Sequence, residues 1–266
     1  MLDDVRLDQV DPATLGLAVA NVEEITLTWV QLSITYEAIF RVLSQCKPKL
    51  KKLIIEQTWE IMDWVRDVDS MAQAVCLVQD VELNYCDLSR DQLEAIFRNI
   101  STTPELHLQN LTIDYEFETA FDLSGVSPEI LASAVCRLKR CNLGMMEMTS
   151  EQLEELCREI VISKNLPLSY LSLYTPVPED VRTDILASAV VRLEVVELYD
   201  STDAQLHAIL SKVVECNDSK LKELYLYAEK VDEEEPETRS LLLKVKDKLK
   251  IFKCDFDDYI LKQVIV

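Results

Sequence analysis

Few side chains in this 266-residue chain could support catalysis. Its two histidines, His107 and His207, lie far apart in the sequence, so neither a histidine dyad nor a histidine metal site is indicated. The eight cysteines form no CxxC pair; Cys76 and Cys136 share an Ala-Val-Cys segment, and we expect packed thiols, not disulfides or zinc ligands. Because the chain has only three glycines, we expect no glycine-rich phosphate-binding loop. The sequence therefore predicts no enzyme, no metal site and no cofactor.

Tyrosine is the residue type whose spacing favours binding. Tyr174, Tyr199 and Tyr227 each follow directly after an apolar–x–apolar triplet, and Tyr170 and Tyr225 lie in the same short segments. Tyrosine combines a large apolar area with a hydroxyl group at low rotamer cost, which enriches it among binding hot spots. The alternative is that these residues are there because aromatic side chains suit β-strands.

A repeated pattern predicts the elements that carry these tyrosines. Apolar residues with LxxLxL spacing recur at starts 25 to 30 residues apart, and the last two apolar positions have the period of a strand with one buried face. A helical stretch follows each one. The nine copies are Val22-Ile25-Leu27, Leu50-Leu53-Ile55, Val78-Val81-Leu83, Leu108-Leu111-Ile113, Leu138-Cys141-Leu143, Leu168-Leu171-Leu173, Leu193-Val196-Leu198, Leu221-Leu224-Leu226 and Leu249-Phe252-Cys254.

The predicted helices are of two alternating kinds. One kind opens with a hydroxyl residue followed three positions later by glutamine, a capping box, at Ser89/Gln92, Thr149/Gln152 and Thr202/Gln205. The other opens with Asp11-Pro12 or Ser127-Pro128, an N-cap residue and a proline in the first helical position. The array is thus a duplicated pair of units.

These strands and capped helices resemble the ribonuclease-inhibitor-like class of leucine-rich-repeat proteins over residues 10–254. The resemblance implies an α/β horseshoe solenoid, with a parallel sheet on the concave face and helices on the convex face. The usual Asn or Cys after the strand is present only as Cys86 and is replaced by Val30 and Met146 in comparable units. We expect one domain over residues 1–266 that begins inside a repeat, because residues 5–19 match residues 121–135.

The residues between and just after the strand leucines should face a partner on the concave sheet. Neighbouring parallel strands lie about 4.8 Å apart, so the three tyrosines should line up as a ladder. The N-terminal half of this face carries Glu24, Glu56, Asp80, Glu82 and Asp114, with Trp29, Tyr85 and Tyr115 at the strand exits; the basic residues that interrupt it are Lys51, Lys52, Lys139 and Arg140.

The formal net charge of −21 disfavours nucleic acids and anionic membranes as partners and would attract a basic protein. The same acidity could serve only to keep a long solenoid soluble. No apolar run is long enough to span a membrane, and the chain reads as cytoplasmic. The predicted function is a protein-interaction module, as a monomer or a subunit of a hetero-complex. The alternative is a structural solenoid that contacts its assembly through its termini and convex helices.

Overall fold

The computed structural model describes residues 10–28, 33–56, 65–86, 88–114, 121–228, 236–256 and 259–260. Within these ranges, helices alternate with strands, and three short strands follow another described strand. Their bounds are α1 Pro12–Asn21, β1 Glu24–Thr28, α2 Ser33–Gln45, β2 Lys52–Glu56, α3 Val68–Leu77, β3 Asp80–Asn84, α4 Arg90–Thr102, β4 Asn110–Asp114, β5 Phe121–Asp122, α5 Pro128–Cys136, β6 Arg140–Leu143, β7 Met146–Glu147, α6 Ser150–Ile162, β8 Tyr170–Pro176, α7 Thr183–Val190, β9 Val195–Tyr199, α8 Asp203–Glu215, β10 Glu223–Ala228, α9 Pro236–Lys248, β11 Ile251–Phe256 and β12 Tyr259–Ile260.

All nine predicted strands are present, and the solenoid fold expected from the repeat is confirmed. In the described part of the chain, β1, β2, β3, β4, β6, β8, β9, β10 and β11 form one open parallel sheet in that order. The short strand β12 closes the far edge antiparallel to β11, and β5 pairs with β7 in a small separate sheet. The architecture is that of a leucine-rich-repeat solenoid.

The core lies between the sheet and the helices. Strands β2, β3, β4 and β9 alternate partly exposed and buried residues, and the buried positions are the predicted apolar ones. The register pairs like with like: Leu53 lies beside Val81, which lies beside Leu111. Removing these stacked side chains from water is the main favourable contribution to folding.

The three capping boxes form as predicted, and each glutamine also bonds to the unit before it. In α4, α6 and α8 the Ser or Thr accepts from the third backbone amide while the glutamine Oε1 accepts from the cap amide. The buried Gln152 also donates through Nε2 to the carbonyls of Leu123 and Val126, at 2.7 and 2.6 Å. Gln92 and Gln205 donate in the same way to Val65 and Pro178. One side chain therefore caps its own helix and fixes the preceding unit.

The second kind of helix is more variable than its sequence predicts. Asp11 and Ser127 cap α1 and α5 as expected, each followed by a proline. Helix α3 lacks the proline, but Asp67 accepts from the amide of Ser70 and supplies the cap. Helix α7 begins after Arg182, whose side chain makes no cap bond. The helices of the other kind, α2, α4, α6 and α8, each have 13 residues. Helix α9 takes the place of a shorter helix but also has 13 residues, so the alternation of lengths ends there.

A second link between units caps the C-terminal ends of the longer helices. The guanidinium of Arg137, just after α5, donates to the carbonyls of Ile100 and Ser101 at the end of α4, at 2.8 and 2.7 Å. Arg192 and Lys248 take the same position and donate to the ends of α6 and α8. These cations satisfy carbonyls that have no partner inside the helix and lie at the negative end of its dipole.

Replacing Arg137 by Ala should lower the free energy of unfolding by about 2 kcal/mol, because carbonyls at the end of α4 lose a charged donor. Urea denaturation followed by circular dichroism measures the change. The matched control is Arg158→Ala, which removes exposed ion pairs on α6 and should change stability by less than about 0.5 kcal/mol. Equal losses in the two variants would contradict the capping role.

Candidate functional site

The sheet face that points away from the helices presents its side chains in columns that cross the strands. In the column at the ends of the strands, Thr28 lies beside Glu56, then Asn84, then Asp114. Gly144 continues the column at the end of β6, where its amide donates to the Ile113 carbonyl at 2.8 Å. We call this row the third column, because each member follows the third apolar residue of its LxxLxL copy. The third column continues with three tyrosines.

The three tyrosines lie ring against ring. The ring centroids of Tyr174 and Tyr199 are 3.6 Å apart, and those of Tyr199 and Tyr227 are 4.1 Å apart with the planes 8° from parallel. We call Tyr174, Tyr199 and Tyr227 the tyrosine ladder. Their alignment follows from repeat spacing, even though β8 contains a register shift: Leu173 pairs with Leu198, but Pro176 pairs with Tyr199.

One inward-facing position of β8 beside the register shift carries a polar residue, Thr175, which follows Leu171 and Leu173 on the buried face. Thr175 is buried, and its Oγ1 donates to the carbonyl of Met146 at 2.9 Å. The segment after Tyr174 is therefore bonded to the preceding unit through β7. The bond is made by the residue that follows Tyr174, the first tyrosine of the ladder.

Tyr170 and Tyr225 share the face but stand in other columns, each under a cation of the chain. The guanidinium of Arg140 lies 4.1 Å from the centre of the Tyr170 ring. The Lys253 ammonium lies 5.3 Å from the centre of the Tyr225 ring, and the Tyr225 hydroxyl donates to Glu223 at 3.2 Å. These two tyrosines flank the ladder and bind cations within the chain.

Burial raises the pKa of three phenols on this face, those of Tyr170, Tyr199 and Tyr225. It raises the pKa of Tyr170 to about 12, with a further contribution from the Glu197 carboxylate. The pKa of Tyr199 is raised by burial and then by its hydrogen bond to Tyr227. Burial also raises the pKa of Tyr225, assisted by Glu223. The surface therefore offers neutral rings whose hydroxyls can donate.

The N-terminal half of the face is less negative than its sequence suggests. Lys52 forms an ion pair with Glu82, with Nζ and Oε1 2.8 Å apart, and that hydrogen bond raises the pKa of Lys52. Asp80 accepts from the side-chain amide of Asn110. A cavity of about 280 Å³ extends along this half as far as Tyr170; among its other lining residues are Lys52, Asp80, Glu82, Asn110 and Arg140.

The remaining residues predicted for the site differ in where the structure places them. Trp29 and Tyr115 lie outside the described residues. Tyr85 follows β3 in the left-handed conformation, with φ of 56°, and its amide donates to the carbonyl of Asp114 at 2.7 Å. Glu24 is exposed and Glu56 is partly exposed on the same face. The structure thus places the acidic residues of β2, β3 and β4 and the five tyrosines of β8, β9 and β10 on one sheet face, in an acidic group and an aromatic group.

Three charged residues of this surface were not proposed as site residues from the sequence. Arg140 was taken only as an interruption of the acidic half, whereas its guanidinium covers Tyr170. Glu197 accepts from the Ser172 hydroxyl at 3.1 Å, and Lys253 covers Tyr225. All three occupy positions between strand leucines, so the column rule that selected the tyrosines would also have found them.

Five cysteines pack in the core as expected, namely Cys76, Cys86, Cys136, Cys141 and Cys157, whereas Cys46 and Cys216 are only partly buried. Burial raises the pKa of Cys76 to about 11 and that of Cys136 and Cys157 to about 12. It also raises the pKa of Cys141. Of the two histidines, His107 is exposed and His207 is partly buried. Among the described residues, no three His, Cys, Asp or Glu side chains converge as a metal site would require.

No protein-family model matches the sequence, and a search of curated proteins gave no significant match. Solved structures do match. One is a chain of the crystal structure of the Rad7 and Elc1 complex in yeast, with a TM-score of 0.53 and 15% sequence identity over 97% of this chain and 71% of that chain. The likeness is one of fold. Among the helices described, none is long and apolar enough to cross a membrane.

The raised tyrosine pKa values predict a loss of stability in alkali. The protonated phenol of Tyr170 is favoured in the folded state, so its stabilising contribution is complete below about pH 10, the unfolded value. That contribution should be lost as the pH rises toward about 12. Urea denaturation at several pH values should show a smaller decline for Tyr170→Phe than for the unchanged protein. Identical declines would mean that Tyr170 titrates normally in the fold.

Proposed function

We propose that this protein is a non-enzymatic interaction module that binds another protein on its concave sheet, as an adaptor, inhibitor or recognition domain. The observation that carries the proposal is the tyrosine ladder, in which the Tyr199 ring contacts the rings of Tyr174 and Tyr227 on the sheet face that points away from the helices. Contact between the rings restricts their rotation before binding. A partner would therefore meet a large aromatic surface at little entropic cost.

The chemistry around the ladder favours a basic partner. The chain carries a net charge of −21, and Glu197 and Glu223 lie on the strands of the ladder. Long-range attraction would raise the encounter rate, while the aromatic contacts would set the lifetime of the complex. The same charge opposes binding to nucleic acid and to anionic membranes.

The structural comparison supports a role in protein association, because the similar solved chain belongs to a complex of two proteins. We also propose the ribonuclease-inhibitor-like class of repeats, which the strand-and-helix units of 25 to 30 residues favour. A cytoplasmic location fits the seven free cysteines in the described part of the chain, since reducing compartments keep thiols free.

A different surface favours the alternative role as a structural subunit. Val22 is 41% exposed, although the residues at the same place in three later units, Val78, Leu138 and Leu193, are buried. Leu17 on α1 is 56% exposed, where α5 has Ser133. An apolar edge of this kind fits an assembly contact at the first unit.

Changing Tyr174, Tyr199 and Tyr227 together to Ala should abolish partner capture, because each buried aromatic hot spot contributes about 2 kcal/mol or more. The partner is first identified by affinity capture from the native source with mass spectrometry. Its dissociation constant is then measured with each purified variant, and circular dichroism checks that the variants fold.

The matched control is the triple Phe variant, which keeps the rings and should retain most of the affinity. A second variant, Leu17→Ser with Val22→Ser, tests the alternative surface. Unchanged binding by the folded triple Ala variant would reject the ladder as the site. Loss of binding only in the Leu17 and Val22 variant would favour the structural role.

A further inference from the structure

One of the chain's three glycines lies at the point where the acidic and aromatic halves of the concave face meet. Gly144 stands in the third column between Asp114 on β4 and Tyr174 on β8. A Cβ atom placed on Gly144 would lie 2.1 Å from Oδ1 of Asp114 and 2.7 Å from its Cγ. The carboxylate therefore lies directly over the glycine, in space that any other residue would occupy.

This placement moves a negative charge toward the ladder. Adjacent strands are about 4.8 Å apart, and among the described strands of the sheet β6 alone lies between β4 and β8. Because Asp114 leans over β6, its carboxylate stands about one strand spacing from the strand of Tyr174. A carboxylate beside an aromatic ring offers the two contacts that a guanidinium group makes best, a two-pronged hydrogen-bonded ion pair and stacking on a ring.

We propose that Asp114 and Tyr174, on either side of Gly144, form a subsite for an arginine side chain of the protein partner. The proposal rests on the proposed function and adds the chemistry of the bound group. The guanidinium pairs with the Asp114 carboxylate and lies against the first ring of the ladder. Gly144 is a positioning residue, because its missing side chain lets the carboxylate reach this place.

The chain's own contacts on this face favour arginine over lysine. Arg140 lies 4.1 Å from the centre of the Tyr170 ring, whereas Lys253 lies 5.3 Å from that of Tyr225. A planar guanidinium can approach a ring face and still donate sideways to a carboxylate, which a compact ammonium does less well. The net charge of −21 opposes an acidic partner or a second copy of this chain at the same place.

The test uses the full chain labelled with nitrogen-15 and two probes, N-acetyl-arginine amide and N-acetyl-lysine amide. Nuclear magnetic resonance titration should show saturable shifts centred on the backbone amides of Gly144 and Tyr174. Arginine should bind at least about threefold more tightly than lysine. Asp114→Asn should weaken the arginine complex by about threefold or more. Gly144→Ala should weaken it as well, since the methyl group displaces the carboxylate.

Two variants make the test specific. Glu56→Gln removes the same charge from the same column but away from the subsite, and should change the affinity by less than about twofold. Tyr174→Phe should retain binding and Tyr174→Ala should lose it. Equal shifts with both probes, spread over the acidic surface, would overturn the proposal, as would an unchanged affinity in Asp114→Asn.

The outcome is separable from that of the proposed function. If arginine fails to bind while the triple Ala variant still loses the native partner, the ladder binds a different chemical group and only the subsite is wrong. If arginine binds at Gly144 but the triple Ala variant keeps the native partner, the assignment of the concave face as the partner surface is wrong. The first result rejects only the subsite, whereas the second rejects the concave face as the partner surface and, with it, the partner as the source of the bound arginine.

Discussion

Each strand–helix unit in this chain has an apolar face that it cannot bury by itself. Leu53, Val81 and Leu111 leave water only because their strands pair in one register, and the helices then cover them together. In such an array the stability is a sum over units and the interfaces between them. Stacking of neighbours in register is thus the constraint on which the core, the sheet and the binding face all depend.

Two polar links enforce that stacking, and both use a side chain of one unit to satisfy backbone groups of the unit before. Gln152 completes its own helix cap and also donates to Leu123 and Val126. Arg137 donates to the end of α4. Buried backbone groups are costly when unpaired, so each link makes the correct neighbour more favourable than a shifted one. Leu77 takes the position of Arg137 in α3, where it has no charged group to donate.

The concave face follows from the same constraint. When the leucines of successive strands align on one side, the residues between them must align on the other, because side chains alternate along a strand. Three tyrosines at one register position therefore become a stack, without any local sequence signal for it. At Gly144 the column carries no side chain, and the neighbouring carboxylate fills the space. Each unit therefore contributes one residue to each column of this surface.

The sequence by itself determined the period, the nine parallel strands, the capping boxes and the membership of each column, since all of these depend on residue types at fixed spacing. Only the tertiary structure decided which side-chain contacts form between units. These contacts join residues 29 to 37 positions apart: Gln152 and Arg137 bond to earlier units, Lys52 pairs with Glu82, and Arg140 covers Tyr170. Side-chain direction and length select among several possible neighbours there. Spacing fixes which residues share a face, but their contacts depend on how the packed units orient them.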